Sequence, residues 1–257
     1  HFLRPMLLLE QSCFGMSRMQ ILLTNDDGWD APGLARLAEV AGSFGDVVVL
    51  APDRHLSGCS HQTTTAHRLK MVEQSPNVYH LNGTPADCVR VAVHVLDRHI
   101  DLVLSGINDG GNLGVDVFMS GTVAAAREAA LIGIPAVAIS QYRHSGHRVD
   151  WARCQDWAHR SIDSVLNEGS DNSFGQFWNI NLPDPQGARS PKLVRCRLDP
   201  HPLDVRFRQE SDDPTGYQFV GTYQDRRRYA GSDVAVCFGG DISITRVSLG
   251  ESFHNKS

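Results

Sequence analysis

Short, continuous apolar runs alternate with amphipathic segments along the first 140 residues. The runs have the length and composition of strands that are buried on both faces of a parallel sheet, and they lie at residues 21–23, 47–50, 102–104 and 136–139. Between them, apolar residues recur at helical spacing, as at Leu34, Leu37, Ala38 and Ala41. Strand alternating with helix predicts an α/β fold with a doubly wound, mostly parallel, Rossmann-like sheet.

Residues suited to helix ends stand where this pattern needs them. Pro32 opens the first predicted helix, and Thr84 precedes Pro85 and Asp87 in a capping-box arrangement at the second. Ser120-Gly121-Thr122 begins a helix over 123–132, which Gly133 ends.

The pattern loosens from about residue 145. An apolar stripe over 151–166 indicates a helix that packs on the core. Strands are predicted at 177–182, 193–198, 234–238 and 242–247, separated by loops rich in proline and glycine. We interpret these strands as C-terminal hairpin excursions around the main sheet that could serve assembly. Residues 19–257 are therefore predicted to form a single α/β domain, preceded by an extension over 1–18 that could be disordered.

Composition limits the partners of the chain. Its 257 residues are 41% hydrophobic and 21% charged, enough for one large α/β domain. A net charge of −5 argues against binding a nucleic-acid polymer, so a small ligand is expected. The six cysteines have no paired short spacing, which is typical of reduced thiols in the cytoplasm. The apolar run at residues 6–9 is too short to span a membrane, and no membrane partner is expected.

Polar loops follow three of the predicted strands, and in a parallel sheet they would meet at one edge. The first carries the adjacent carboxylates Asp26 and Asp27, whose mutual repulsion a cation would relieve. A turn or helix cap is the alternative for this pair. The second carries Ser57 beside Gly58, which alone could be an ordinary turn. The third, over 105–114, is rich in glycines and amides. Oxygen ligands of this kind suit Mg²⁺ or Mn²⁺ better than zinc.

The helix start Ser120-Gly121-Thr122 is a second candidate for ligand binding, because free amides and the helix dipole attract anions. Simple helix capping is the alternative, and the two roles can coexist. The chain has neither a Gly-Lys-Thr phosphate loop nor a Gly-x-Gly-x-x-Gly after its first strand, so triphosphate motors and Rossmann dehydrogenases are disfavoured.

These motifs together resemble the SurE family, the stationary-phase survival proteins that act as 5′(3′)-nucleotidases. The matching residues lie at 21–28, 31–33, 51–54, 57–58, 83–88, 105–108, 111–114 and 120–126. The resemblance implies that a divalent cation is held by Asp26, Asp27, Ser57 and Asn108. The predicted phosphate-binding residues are Asn25, Gly58, Asn112, Ser120, Gly121 and Thr122. The family also implies nucleoside monophosphate substrates and a homodimer or homotetramer assembled through its later segments.

The function hypothesis is hydrolysis of nucleoside 5′-monophosphates, and of 3′-monophosphates as an extension, by an activated water and a divalent cation. Asp26 and Asp27 are the predicted catalytic residues, as ligands or as the base. An aspartyl-phosphate phosphatase with Asp26 as nucleophile is one alternative, although those enzymes generally place an acid where this chain has Gly28. The other alternative is a protein that binds nucleotide or phosphate in the same cleft as a sensor.

Overall fold

The computed structural model describes residues 18–168, 174–186, 190–211 and 213–250. The predicted extension over 1–18 lies outside these residues except for Arg18. The strands are β1 (Met19–Thr24), β2 (Gly45–Pro52), β3 (Met71–Ser75), β4 (Val78–Leu81), β5 (Leu102–Asp109), β6 (Ala136–Gln141), β7 (Gln176–Leu182), β8 (Leu193–Arg195), β9 (Phe207–Gln209), β10 (Tyr217–Phe219) and β11 (Ile242–Ser248). The helices are α1 (Pro32–Ala41), α2 (Pro85–Val95), α3 (Gly121–Leu131), α4 (Trp151–Asn167) and α5 (Asp233–Phe238).

Nine of these strands form one sheet in the order β3-β4-β2-β1-β5-β6-β7-β11-β8. The six neighbours from β4 to β7 are all parallel, whereas β3 and β11 run antiparallel to β4 and β7. The predicted mostly parallel α/β fold is confirmed. From β1 the chain proceeds to β2 on one side and later returns to β5 on the other. The loops after β1 and β5 therefore diverge at a switch point, where open α/β sheets place their ligands.

Two apolar cores cover the two faces of the sheet. Alternate residues of β1 point to opposite faces, so that Ile21 and Leu23 pack with α1 and α4 while Leu22 packs with α2 and α3. All three side chains are fully buried, which stabilises the fold by about 1.5–3 kcal/mol each. The strand ends are thereby held rigidly between two helical layers.

The predicted capping box at α2 is present. The Thr84 hydroxyl accepts a hydrogen bond from the Asp87 amide at 3.2 Å, and the Asp87 carboxylate accepts one from the Thr84 amide at 3.0 Å. Ser120 likewise caps α3, because its hydroxyl accepts from the Val123 amide at 3.1 Å. These caps fix the two helix starts that follow β4 and the third polar loop.

The structure differs from the prediction in three ways. The predicted strand over 234–238 is wrong: these residues belong to α5, where the Ser232 hydroxyl accepts from the Ala235 amide and Val234 and Cys237 are buried one turn apart. An apolar run this short is compatible with the two-residue repeat of a strand and with the repeat of a helix, so the sequence alone does not distinguish them. The strands β7, β8 and β11 join the main sheet, and the hairpin excursion in the described residues is β9–β10. The edge pair β3–β4 was not predicted.

None of the helices in the described ranges is both long and apolar enough to cross a bilayer.

Candidate functional site

The first polar loop turns sharply at the end of β1. The Asn25 side chain closes the turn, since its amide donates to the Gly28 carbonyl at 2.9 Å and its oxygen accepts from the Gly28 amide at 3.2 Å. Gly28 has a φ of +114°, a conformation that favours glycine. Asn25, a predicted phosphate-binding residue, therefore shapes the turn that presents Asp26 and Asp27.

Asp26 is a buried carboxylate at the centre of this edge. One of its oxygens accepts a hydrogen bond from the Thr122 hydroxyl of α3. Burial raises the pKa of Asp26 to about 6; the Thr122 hydrogen bond opposes this shift, and the charge of Asp27 adds to it. The ionised form of Asp26 is therefore less favourable than that of a solvent-exposed carboxylate.

Asp27 connects the three loops. One carboxylate oxygen accepts from the Asp109 amide at 3.1 Å, and the other lies 3.3 Å from Nδ1 of His55. His55 in turn contacts the Ser57 hydroxyl through Nε2 at 2.7 Å. Burial also raises the pKa of Asp27. We call the group of Asp26, Asp27, Ser57 and Asn108 the strand-end site.

The two predicted asparagines of the third loop lie in different surroundings. The Asn108 amide nitrogen donates to the Gly110 carbonyl at 2.8 Å, which leaves its oxygen for another partner. Asn112 is buried, and its side-chain nitrogen donates to the Ser140 hydroxyl at 2.7 Å. Its backbone amide donates to Asn181. Asn108 can therefore act as a ligand, whereas Asn112 fixes the loop against the sheet.

The N-terminus of α3 lies directly on Asp26. A methyl group on Gly121 would come within 2.9 Å of an Asp26 carboxylate oxygen and 2.7 Å of the Cys59 sulfur, so a larger residue there would displace these neighbours. The first amides of any helix have no partner within the helix. Those of Gly121 and Thr122 are the natural anion donors, while the hydroxyls of Ser120 and Thr122 serve Val123 and Asp26.

Two further residues of the second loop have limited roles. Gly58 has a φ of +73°, and a methyl group there would meet nothing within 4 Å, so its glycine serves the backbone conformation rather than a close approach. Burial raises the pKa of the Cys59 thiol to about 11, which makes it a poor nucleophile.

The available donors suit a hard divalent cation. Among the described residues, no three His, Cys, Asp or Glu side chains are grouped to hold a metal. The strand-end site offers instead two carboxylates, the Asn108 amide oxygen and the Ser57 hydroxyl, which are oxygen donors of the type that Mg²⁺ and Mn²⁺ prefer. Burial is the main cause that raises the pKa values of Asp26 and Asp27, with a smaller contribution to Asp26 from the charge of Asp27; a bound cation would oppose both effects.

Comparison with known proteins gives the family. The family model described as survival protein SurE matches residues 21–201. The chain belongs to the SurE family.

Relatives of this SurE chain match over nearly its whole length. A protein of Nostoc sp. is 46% identical over 232 residues, which are 90% of this chain and 100% of the relative. The 5′-nucleotidase SurE of Geobacter sulfurreducens is 43% identical over 234 residues, covering 90% of this chain and 88% of the relative. The crystal structure of the SurE protein from Aquifex aeolicus superposes with a TM-score of 0.77 at 33% identity, covering 90% and 94% of the two chains.

Several residues of this SurE chain that surround the site were not predicted. His55 contacts both Asp27 and Ser57, and its position two residues before Ser57 is a local signal that sequence reasoning could have used. Arg226 is buried and donates to Asp116 at 2.7 Å and to the Leu113 carbonyl at 3.2 Å. It ties the later segment to the third loop. No short-range pattern indicates a contact across so many residues.

Proposed function

We propose that this chain is a divalent-metal-dependent phosphohydrolase that releases phosphate from nucleoside 5′-monophosphates, with 3′-monophosphates as further substrates. The observation that carries the proposal is the pair Asp26 and Asp27, a buried carboxylate beside a partly solvated one, held at a strand end beneath the start of α3. The 5′-nucleotidase names of relatives in Geobacter sulfurreducens and Neisseria gonorrhoeae support the reaction.

Asp26, Asp27, Ser57 and Asn108 would hold the cation, either Mg²⁺ or Mn²⁺. When bound, such an ion supplies a Lewis acid that stabilises charge on phosphoryl oxygens and favours ionisation of water. The Asp109 amide and the His55 ring hold Asp27, and the Thr122 hydroxyl holds Asp26. The chain thereby fixes both carboxylates before substrate arrives.

The remaining roles follow from the contacts of each residue. The amides of Gly121 and Thr122 are placed to bind phosphoryl oxygens, since they begin a helix whose dipole favours anions. Either Asp26 or Asp27 can orient the attacking water and accept its proton, so no phospho-enzyme is required. Asn25, Gly58, Asn112 and Ser120 support this arrangement through the turns and caps they form.

The proposal is tested by measuring phosphate release from AMP, with Mg²⁺, with Mn²⁺ and with EDTA. We expect metal-dependent release that Asp27→Asn abolishes. Asp163→Asn, a matched change on the exposed face of α4, should leave it intact. AMP binding without release under every condition would contradict the proposal and favour the sensor. A trapped phospho-enzyme would favour Asp26 as a nucleophile.

We also propose that residues 19–257 act as one domain that assembles into a homodimer or homotetramer through its later segment. In the β9–β10 hairpin, Phe207, Tyr217 and Phe219 are 62%, 66% and 55% exposed, a concentration of apolar surface typical of an interface. The expected result in light scattering is an oligomer that Phe207→Ser with Phe219→Ser dissociates. A wild-type monomer would contradict this assignment.

The proposed location is the cytoplasm, with neither membrane nor nucleic-acid polymer as partner. The five cysteines in the described residues are all free, which suits a reducing compartment.

A further inference from the structure

The ring of His55 lies between two side chains of the strand-end site. Its Nδ1 is 3.3 Å from an Asp27 carboxylate oxygen, and its Nε2 is 2.7 Å from the Ser57 hydroxyl. These two partners come from different polar loops, the one after β1 and the one after β2. His55 therefore places a ring nitrogen among side chains that otherwise offer only oxygen.

The backbone on either side of Ser57 holds His55 in this position. The Leu56 amide donates to the Asp26 carbonyl at 2.7 Å, and the Cys59 amide donates to the Leu56 carbonyl at 3.2 Å. These bonds join the second polar loop to the turn after β1. The His55 side chain itself is 61% exposed, so the ring can turn while its backbone stays fixed.

The two contacts determine which ring nitrogen is suited to a cation. An ionised carboxylate only accepts hydrogen bonds, so Asp27 favours a hydrogen on Nδ1 of the neutral His55 ring. Nε2 then carries the lone pair and accepts from the Ser57 hydroxyl. A carboxylate at one ring nitrogen, with the lone pair of the other nitrogen directed elsewhere, is the arrangement typical of histidines that bind metal ions.

The spacing of Nε2 and the Ser57 hydroxyl suits two neighbouring ligands of one ion. Adjacent ligands of an octahedral ion, with bonds of about 2.1 Å, lie about 3 Å from each other. The distance of 2.7 Å between these two atoms is close to that value. In the part of the chain that the structure describes, no three acidic, cysteine or histidine side chains are already grouped for a metal. Binding through Nε2 therefore includes a turn of the exposed His55 ring towards the ion.

We propose that Nε2 of His55 is a further ligand of the cation at the strand-end site, beside Ser57, and that it makes the site prefer Mn²⁺ to Mg²⁺. This inference rests on the proposed function, which places a divalent cation there. Mg²⁺ binds oxygen ligands, whereas first-row transition ions also bind imidazole nitrogen. A histidine that only holds Asp27 and Ser57 in place would support both ions alike.

Pulsed EPR of the Mn²⁺-loaded full chain tests the bond itself, because a coordinated ring nitrogen couples to the electron spin of the ion. We expect this coupling in the wild type and its loss in His55→Gln, which keeps a hydrogen-bonding side chain without a ring nitrogen. In calorimetry, His55→Gln should weaken Mn²⁺ binding about 10- to 100-fold and Mg²⁺ binding no more than about 3-fold.

His99→Gln is the matched control. The His99 side chain is 84% exposed and its Nε2 lies 3.2 Å from Asp101, so it is also a histidine beside an aspartate. It precedes β5, whereas Asn108 lies near the end of that strand. We expect His99→Gln to change neither the nitrogen coupling nor the affinity for either ion.

Bound Mn²⁺ without nitrogen coupling in the wild type, or equal weakening of Mn²⁺ and Mg²⁺ binding in His55→Gln, would overturn His55 as a ligand. Failure of the wild type to bind Mn²⁺ would do the same. Phosphate release from AMP decides the proposed function separately. Release without nitrogen coupling leaves the phosphohydrolase intact, whereas nitrogen coupling without release under any condition overturns the phosphohydrolase and supports the ligand.

Discussion

Buried carboxylates occur in two regions of this molecule, and their surroundings differ. At the strand-end site, burial and the neighbouring charge of Asp27 raise the pKa of Asp26 to about 6. A single hydrogen bond, from the Thr122 hydroxyl, opposes this shift. In the later segment, burial alone would raise the pKa of Asp199, but hydrogen bonds from the Ser232 hydroxyl and from the His201 and Tyr229 amides lower it to about 2.

The same comparison holds for Asp116, which shares a buried ion pair with Arg226 and accepts from the Tyr223 hydroxyl. A carboxylate whose charge is fully compensated by its own chain stabilises the fold. The carboxylate of Asp26 has little such compensation, and we propose that a bound cation supplies it. On this hypothesis, the difference distinguishes structural acids from functional ones among side chains that are similarly buried.

The strongest test of this separation is the activity of Asp26→Asn. The amide can keep the Thr122 hydrogen bond but removes the charge, so we expect kcat/KM for AMP to fall on the order of 10³-fold or more, about 4 kcal/mol of transition-state stabilisation. Steady-state assays at saturating Mn²⁺ measure it. Full activity would place Asp26 among the structural acids.

The converse test removes a structural acid. Asp116→Ala leaves the buried Arg226 guanidinium without its partner, and we expect a loss of roughly 3 kcal/mol in the free energy of unfolding. Urea denaturation followed by fluorescence measures it. A loss below about 1 kcal/mol would show that the ion pair does not stabilise the later segment.

The pH dependence of the free energy of unfolding, measured on the metal-free protein, should distinguish the two kinds of acid. The folded-state pKa of Asp26 is raised, so between about pH 4 and about pH 6 the folded state keeps a proton that the unfolded state has lost. The contribution of Asp26 to stability therefore falls as pH rises through this interval. The pKa of Asp199 is lowered to about 2, so its contribution is present above about pH 4 and is lost as pH falls towards 2.

Asp26→Asn should consequently raise the stability of the metal-free protein by about 2 kcal/mol at pH 7.5 and remove its decline between pH 4 and 6. Asp199→Asn should lower stability at pH 7.5. Urea denaturation in EDTA across this pH range measures both. A less stable Asp26→Asn protein would mean that the carboxylate is compensated by the chain.

The smallest effect is expected from Gly121→Ala. The added methyl group would press on Asp26 and on Cys59, and we expect a loss of about 1 kcal/mol in stability together with weaker phosphate binding. Thermal unfolding and product inhibition by inorganic phosphate measure the two. Gly42→Ala at the end of α1 is the matched control, because φ is −59° there and the added methyl group would make only ordinary contacts. An unchanged phosphate affinity would show that Gly121 does not contribute to anion binding.

The sequence predicted the parallel core because each of its signals is local. Apolar runs such as the one at 102–104 and caps such as Thr84 depend on neighbours within a few residues. The β3–β4 edge strands escaped prediction because their side chains are largely half-buried or exposed and show no clear period. The α5 run was too short to distinguish strand from helix.

The sequence predicted which residues form the candidate site, but not the contacts that hold them in place. Asp26, Asp27 and Ser57 stand beside strand ends, where topology alone brings them near one another. The hydrogen bond from the Thr122 hydroxyl to Asp26 forms only because the start of α3 lies close to the end of β1. The pairing of Arg226 with Asp116 joins distant parts of the chain, which no local pattern encodes.

Titration of the metal-free protein with Mn²⁺, followed by calorimetry or by the EPR signal of free Mn²⁺, measures cation binding at the strand-end site itself. We expect a single tight ion per chain that Asp27→Asn loses, that Asp163→Asn retains, and that binds more weakly at pH 5 than at pH 7.5 because protons compete for Asp26. Wild-type affinity in both Asp26→Asn and Asp27→Asn would contradict it.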